Sequence, residues 1–125
     1  MSLEKKELTI PLIPLRELVT FPSTIIPILV GREKSINSLR LAAEEYNNYI
    51  FLSVQKNQLS DVPEPMEIYD VGVIARVEKS VEQNNGSFRV IIQGLERARI
   101  LHFVESSKHY LVQVKVLEDF LGEQR

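Results

Sequence analysis

Four prolines in one short stretch constrain this chain more than any other feature. Between Pro11 and Leu39 the sequence reads PLIPLRELVTFPSTIIPILVGREKSINSL, with Pro11, Pro14, Pro22 and Pro27 set among branched apolar residues. Proline has a fixed φ and no amide donor, so the stretch predicts short strands at corners and edges, not fully paired central strands. Leu8, Ile10 and Leu12, continuing to Leu15, recur at strand spacing and give a first strand, placed by Pro11 and Pro14 at an edge or corner. Ile25 to Val30 is a β-branched run broken by Pro27, which predicts a second strand near an edge, ended by Gly31.

From Arg32 the period changes. Ile36, Leu39, Ala43 and Tyr46 recur at helical spacing, which predicts one amphipathic helix with these residues inward and Asn47-Asn48 as its stop. Glu33 lies in the first turn, favourably placed for the helix dipole. Tyr49 to Val54 (YIFLSV) reads as a buried strand. Gln55 to Glu67 is polar, holds Pro63 and Pro65, and is expected to be a surface loop.

The β pattern resumes with Val71, Val73, Ala75 and Val77 and runs to about Gln83. Asn85-Gly86 predicts a two-residue type I′ hairpin that sets Val81 opposite Val90 and Glu82 opposite Arg89. The same register puts Lys79 against Ile92 and implies a bulge or a rim position there. Gly94 and Glu96-Arg97 mark a bend between two further strands, and Tyr110 to Leu117 alternates as the last. The expected fold class is therefore mainly β with one principal α-helix, closed as a small barrel with sharp bends at Gly72 and Gly94.

Length and composition limit the function. A chain of 125 residues with 44% hydrophobic residues suits one domain with a real core. Fifteen Lys and Arg against seventeen Asp and Glu leave no field to hold a polyanion. The chain has no cysteine, which excludes disulfides, thiolate metal sites and a cysteine nucleophile. The charged start MSLEKKEL has no apolar h-region, no segment has the length of a membrane span, and a cytoplasmic protein is expected.

No catalytic constellation stands out: there is no nucleophile elbow and no phosphate loop. His102 and His109 are seven apart with no carboxylate at metal-ligand spacing, and read as surface histidines. Glu44 and Glu45 point about 100° apart on a helix and read as a solvated face. Ser-Lys neighbours at Lys34-Ser35, Lys79-Ser80 and Ser107-Lys108 do not by adjacency bring an amine onto a hydroxyl. Arg89, Arg97 and Arg99 form either a small basic patch or cross-strand pairs with Glu78, Glu82 or Glu96, and pairing is the expectation.

The opening stretch resembles the start of the N-terminal domain of Lon, the ATP-dependent serine protease family. The resemblance rests on Pro14-Leu15-Arg16-Glu17, on Phe21-Pro22, and on Val30-Gly31-Arg32-Glu33-Lys34-Ser35. Val71-Gly72-Val73-Ile74-Ala75 and the run from Val90 to Ile100 (VIIQGLERARI) support it. The resemblance implies a PUA-like pseudo-barrel of about six strands over residues 8–118, after a flexible tail at 1–7 and before a linker at 119–125. It implies a non-catalytic domain that recognises unfolded or damaged polypeptides and supports hexamer assembly. ATP, magnesium and a Ser-Lys dyad would belong to later domains outside this chain. Leu18, Phe21, Arg32, Glu33 and Lys34 are the expected client contacts, with Leu18 and Phe21 equally readable as core. The alternatives are a stand-alone PUA-like module binding RNA or another protein, and a self-association element pairing through strand edges.

Overall fold

The computed structural model describes residues 7–17 and 22–117. Among these, the elements run β1 (Glu7–Leu15), β2 (Ile25–Val30), α1 (Glu33–Glu45), β3 (Tyr49–Val54), β4 (Val71–Glu82), β5 (Phe88–Val104) and β6 (Tyr110–Val116). The strand order is β2-β5-β4-β3-β1-β6, and a further β5–β6 pairing closes five strands into a ring, with β2 attached to β5 as an added edge. The barrel and the single helix of the sequence reading are thus observed.

The prolines of β1 do not mark an edge. Glu7 to Leu12 pair antiparallel with β6, and Leu12 to Leu15 pair parallel with β3, so the strand changes partners at Leu12. The Gln55 amide donates to the Leu15 carbonyl at 2.8 Å. Backbone groups alternate along a strand, so Pro11, Ile13 and Leu15 turn theirs toward the β3 side, whereas Leu12 and Pro14 turn theirs toward the β6 side. Pro11 therefore faces β3 before that ladder begins, and Pro14 faces β6 after that ladder has ended. Each missing donor falls where no strand would have accepted it, which is how two prolines sit fully buried inside the ring.

Strand β5 is one strand of 17 residues, not the two separated by a bend that Gly94 and Glu96-Arg97 predict. Ala75 pairs with Gly94 and Ile74 with Glu96, leaving Leu95 as a bulge. One extra residue reverses which face the side chains point to. Val90 and Ile92, before the bulge, join one apolar cluster with Ile13, Ile28, Leu39, Ile50, Leu52 and Val77. Ala98 and Ile100, after it, join another with Ile10, Leu12, Phe51, Ile74, Val112 and Val114. Strand β3 lies between the two, which is why YIFLSV is buried from Ile50 to Ser53. At Gly72 any Cβ would come within 2.2 Å of the Leu52 carbonyl and 2.8 Å of the Phe51 ring, so close approach to β3, not bending, requires glycine there.

The helix packs through Ile36, Leu39 and Tyr46 as expected, but with Ser35, Ser38 and Ala42 inward in place of Ala43. Its buried residues are Ser35, Ser38, Leu39 and Ala42, and Ala43 is exposed. The small side chains let α1 lie close on the sheet, and Ser38 has a backbone partner to satisfy its hydroxyl: it accepts from the Tyr110 amide at 3.1 Å. Asn47 and Asn48 then stop the helix with φ of 54° and 67°.

The hairpin is also one residue out of the expected register. Val81 pairs with Arg89 and Glu82 with Phe88. The Gly86 amide donates to the Gln83 carbonyl at 3.0 Å and only Gly86 of the turn has positive φ, at 89°. This is a three-residue loop with a left-handed glycine, and Asn85 is spent accepting from the Ser87 amide at 3.1 Å. The expected bulge near Lys79 is present, with Val77 on Ile92 and Lys79 on Ile91.

Candidate functional site

Strand β2 carries the most exposed apolar side chains of the sheet. Ile26, Ile28 and Val30 face inward, while Ile25 and Leu29 are 64% and 66% exposed on either side of Pro27. The Gly94 amide donates to the Thr24 carbonyl at 2.8 Å. By alternation, Ile26, Ile28 and Val30 direct their backbone groups to β5, and Ile25, Pro27 and Leu29 direct theirs away from it. Pro27 thus removes a donor from the outer edge of β2, where an uninterrupted ladder would invite another strand.

Between this edge and the end of β1 runs a groove of about 500 Å³, lined by Ile13, Pro14, Leu15, Pro27, Leu29 and Val30 among others. A second cleft, of about 320 Å³, lies at the start of α1 between Lys34, Asn37, Val62, Lys108 and Tyr110. Pro14, Arg32 and Ser35 line both. The loop bordering the second cleft adds exposed Leu59, Val62 and Met66.

Arg32 organises the junction. Its guanidinium donates to the Pro14 carbonyl at 2.6 Å and to Gln55 Oε1 at 2.8 Å, with longer bonds to the Ser60 and Asp61 carbonyls at 3.3 Å each. The Pro14 carbonyl is the group that turns away from β3 where β6 has already left, so a side chain replaces the missing strand. Gln55, placed by sequence in a surface loop, is only 1% exposed, and its amide donates to the Asn57 and Ser60 carbonyls at 2.8 and 2.7 Å. Burial lowers the Arg32 pKa from its ordinary value, and the nearby Arg16 guanidinium lowers it further, against the opposing pull of Tyr110 and Asp61. Arg16 holds the same loop from outside, pairing with Asp61 at 3.1 Å and donating to the Gln58 carbonyl.

Of the expected contact residues, Arg32, Glu33 and Lys34 are brought together at this junction and line the second cleft. Arg32 is turned inward to the loop, Glu33 is exposed, and Lys34 Nζ sits 4.3 Å from the centre of the Tyr110 ring. Leu18 and Phe21 lie outside the described residues. Sequence reasoning missed Ile25 and Leu29 as a surface pair, because a continuous apolar run reads as core on both faces. It also missed Leu59, Val62 and Met66, whose signal was their presence in an otherwise polar loop.

Arg99 is the one basic side chain of β5 with an ion pair among the described residues. Arg99 pairs with Asp70 at 2.9 Å, not with the glutamates expected, and Arg76 pairs with Glu78 at 3.6 Å. His109 Nδ1 is 3.0 Å from Ser106 Oγ, and among the described residues no group of His, Cys, Asp and Glu could hold a metal. No helix among them is long and apolar enough to cross a membrane.

Residues 9–124 match the family model described as the ATP-dependent protease La (LON) substrate-binding domain. The chain is 38% identical over 119 residues to a Lon protease of Halothermothrix orenii, and 36% identical over 118 residues to one of Bacillus thuringiensis. These alignments cover 95% and 94% of this chain but 15% of each relative, so the chain spans about 15% of the length of these relatives. Two solved structures share its fold. The N-terminal domain of a Mycobacterium avium complex Lon protease superposes with a TM-score of 0.70 at 16% identity, over 90% of this chain and 56% of that one. A Lon N-terminal domain protein from Xanthomonas campestris gives 0.63 at 20%, over 89% of this chain and 60% of that one.

Proposed function

The chain belongs to the family of Lon protease substrate-binding domains, and from that premise we propose that it is the non-catalytic, client-recognising part of an ATP-dependent Lon-type protease. It binds exposed apolar segments of unfolded or damaged polypeptides and hands them to ATPase and Ser-Lys protease domains elsewhere in the parent. ATP and magnesium act in those domains, and the parent works as a cytoplasmic homohexamer whose assembly this domain supports.

The observation that carries this reading is the pairing of exposed Ile25 and Leu29 with the apolar groove beside them. Exposed side chains of this size next to a lined cleft mark a surface that binds apolar chains. Pro27 limits backbone pairing along that edge, so side chains supply the contact, and affinity for any one short segment is weak.

Titration of a permanently unfolded client into isotope-labelled domain tests the proposal. Amide shifts are expected along β2, the Arg32 to Ser35 turn and the loop bearing Leu59, and Ile25→Asp with Leu29→Asp is expected to weaken binding by about tenfold or more. Absence of any shift at millimolar client would overturn it.

A further inference from the structure

The first turn of α1 carries one carboxylate, the exposed Glu33, against Arg32 and Lys34 beside it and Lys108 across the cleft. Arg32 occupies the N-cap position, where an acceptor side chain is usual, and it makes no capping hydrogen bond. The first intrahelical amide to find a partner is that of Ile36, which donates to the Arg32 carbonyl at 2.9 Å. The amides of Glu33, Lys34 and Ser35 precede it and have no partner within the helix. Ser35 is only 2% exposed, and among the described residues its hydroxyl makes no hydrogen bond, although it lines both clefts. A buried hydroxyl without a partner is uncommon in a native fold and costs stability, unlike Ser38 one turn further on, which is satisfied.

Cations surround this turn. Lys34 and Lys108 line the same cleft, neither makes an ion pair among the described residues, and Asn37 Nδ2 fixes the loop of Lys108 by donating to its carbonyl at 2.8 Å. Of the acidic residues nearby, Glu33 is exposed, Asp61 is paired with Arg16, and Glu64 and Glu67 lie on the Tyr110 side of the cleft. Three positive side chains against one exposed carboxylate, at the positive end of a helix dipole, leave a local excess of positive charge that favours a further anion. The apolar groove opens from the same turn, sharing Pro14, Arg32 and Ser35 with the cleft.

We propose that the first turn of α1, with Ser35, Lys34 and Lys108, receives the free C-terminal carboxylate of a polypeptide whose last apolar side chain enters the groove between β1 and β2. The inference rests on the client-binding reading above and names the part of the client that is read. Carboxylate oxygens accept from the orphan amides and the Ser35 hydroxyl, while the neighbouring side chain is desolvated against Pro14, Leu15 and Val30. Any polypeptide end that is exposed and apolar fits.

A labelled decapeptide of glycine and serine ending in Leu-Phe tests this, compared as the free acid, as the C-terminal amide, and as an amide carrying an internal glutamate. The free acid is expected to bind about tenfold tighter than either amide, with shifts at the amides of Glu33, Lys34 and Ser35. Ser35→Ala and Lys34→Gln are each expected to remove most of that difference between acid and amide, and Ser35→Ala to do so with a melting temperature no lower than that of the parent chain. Equal binding of acid and plain amide would overturn the inference and leave the client-binding reading standing. A glutamate peptide as tight as the free acid would overturn the terminal carboxylate as the group read. No binding of any form would overturn both readings.

Discussion

The two apolar clusters of this barrel are closed in opposite ways. The cluster around Phe51, Leu12, Val112 and Val114 lies where β1, β6 and β5 pair in turn, so backbone ladders close most of it, with a cleft of about 280 Å³ beside Leu8, Tyr49, Ile74, Leu95 and Val116. The cluster around Ile13, Ile28, Leu39 and Ile92 is covered by α1 and by β2, a strand paired on one side among the described residues. At its rim the Arg32 guanidinium and the Gln55 amide do what a strand does elsewhere. The ladder-closed cluster has the smaller opening, about 280 Å³, whereas the rim held by side chains leaves clefts of about 500 and 320 Å³ between its attachments. Both clefts at the Arg32 junction are of this second kind.

Substitutions in the two regions separate the two kinds of closure. Phe51→Ala empties a site with no exposure and no route to relax, and is expected to cost about 3–5 kcal/mol by denaturant titration. If the loss were below about 1 kcal/mol, the ladder-closed region would not be the rigid one. Arg32→Met keeps the bulk of the stem but leaves the Pro14 carbonyl and Gln55 without their donor, at an expected cost of about 1–3 kcal/mol. Faster hydrogen exchange confined to residues 55–62 should accompany it, and exchange spread evenly over the ring would refute the distinction.

Tyr110 touches both regions, since its ring belongs to the ladder-closed cluster while its hydroxyl donates to the Pro63 carbonyl at 2.9 Å. Tyr110→Phe is expected to cost about 1 kcal/mol. Burial raises the Tyr110 pKa above the ordinary tyrosine value, with Arg32 opposing and Glu64 and Glu67 adding to the rise. The folded chain therefore keeps a proton that the unfolded chain loses, so this contribution to stability is complete below the ordinary value and is lost as pH rises through the folded one. Melts across that alkaline range should fall more steeply for the parent chain than for Tyr110→Phe, and parallel curves would show that the hydroxyl is not held. The smallest effect is expected at the outer edge: Leu29→Asp should shift stability by no more than about 0.5 kcal/mol while reducing client binding.

Particular elements show what the sequence carried and why. The bounds of β2 and β3 follow from IIPILV and YIFLSV, because apolar runs flanked by glycine, asparagine or polar residues admit few alternatives. The bulge at Leu95 looks in sequence like a break, since both interrupt alternation, and only the partner strand tells them apart. The inward face of α1 was found at Ile36, Leu39 and Tyr46 but its width was not, because Ser35 and Ser38 read as polar and their burial depends on what β6 and the clefts bring against them. Arg32 and Gln55 are far apart in sequence, so their contact has no periodic signature, although Arg32 itself belongs to a motif on which the family resemblance rests. The place of the candidate site was thus legible, but its geometry, one arginine serving two strands, was not.

Strand β1 is the first of the ring, and the strand that completes its antiparallel side is β6, the last. During synthesis β1 therefore leaves the ribosome long before its partner exists, while β3, β4 and β5 can pair with near neighbours as they emerge. Until β6 arrives, Leu8 and Ile10 form an unpaired apolar segment of the kind that chaperones and proteases capture. The domain proposed above to bind unfolded chains is thus, for the time its own ring stays open, itself such a chain.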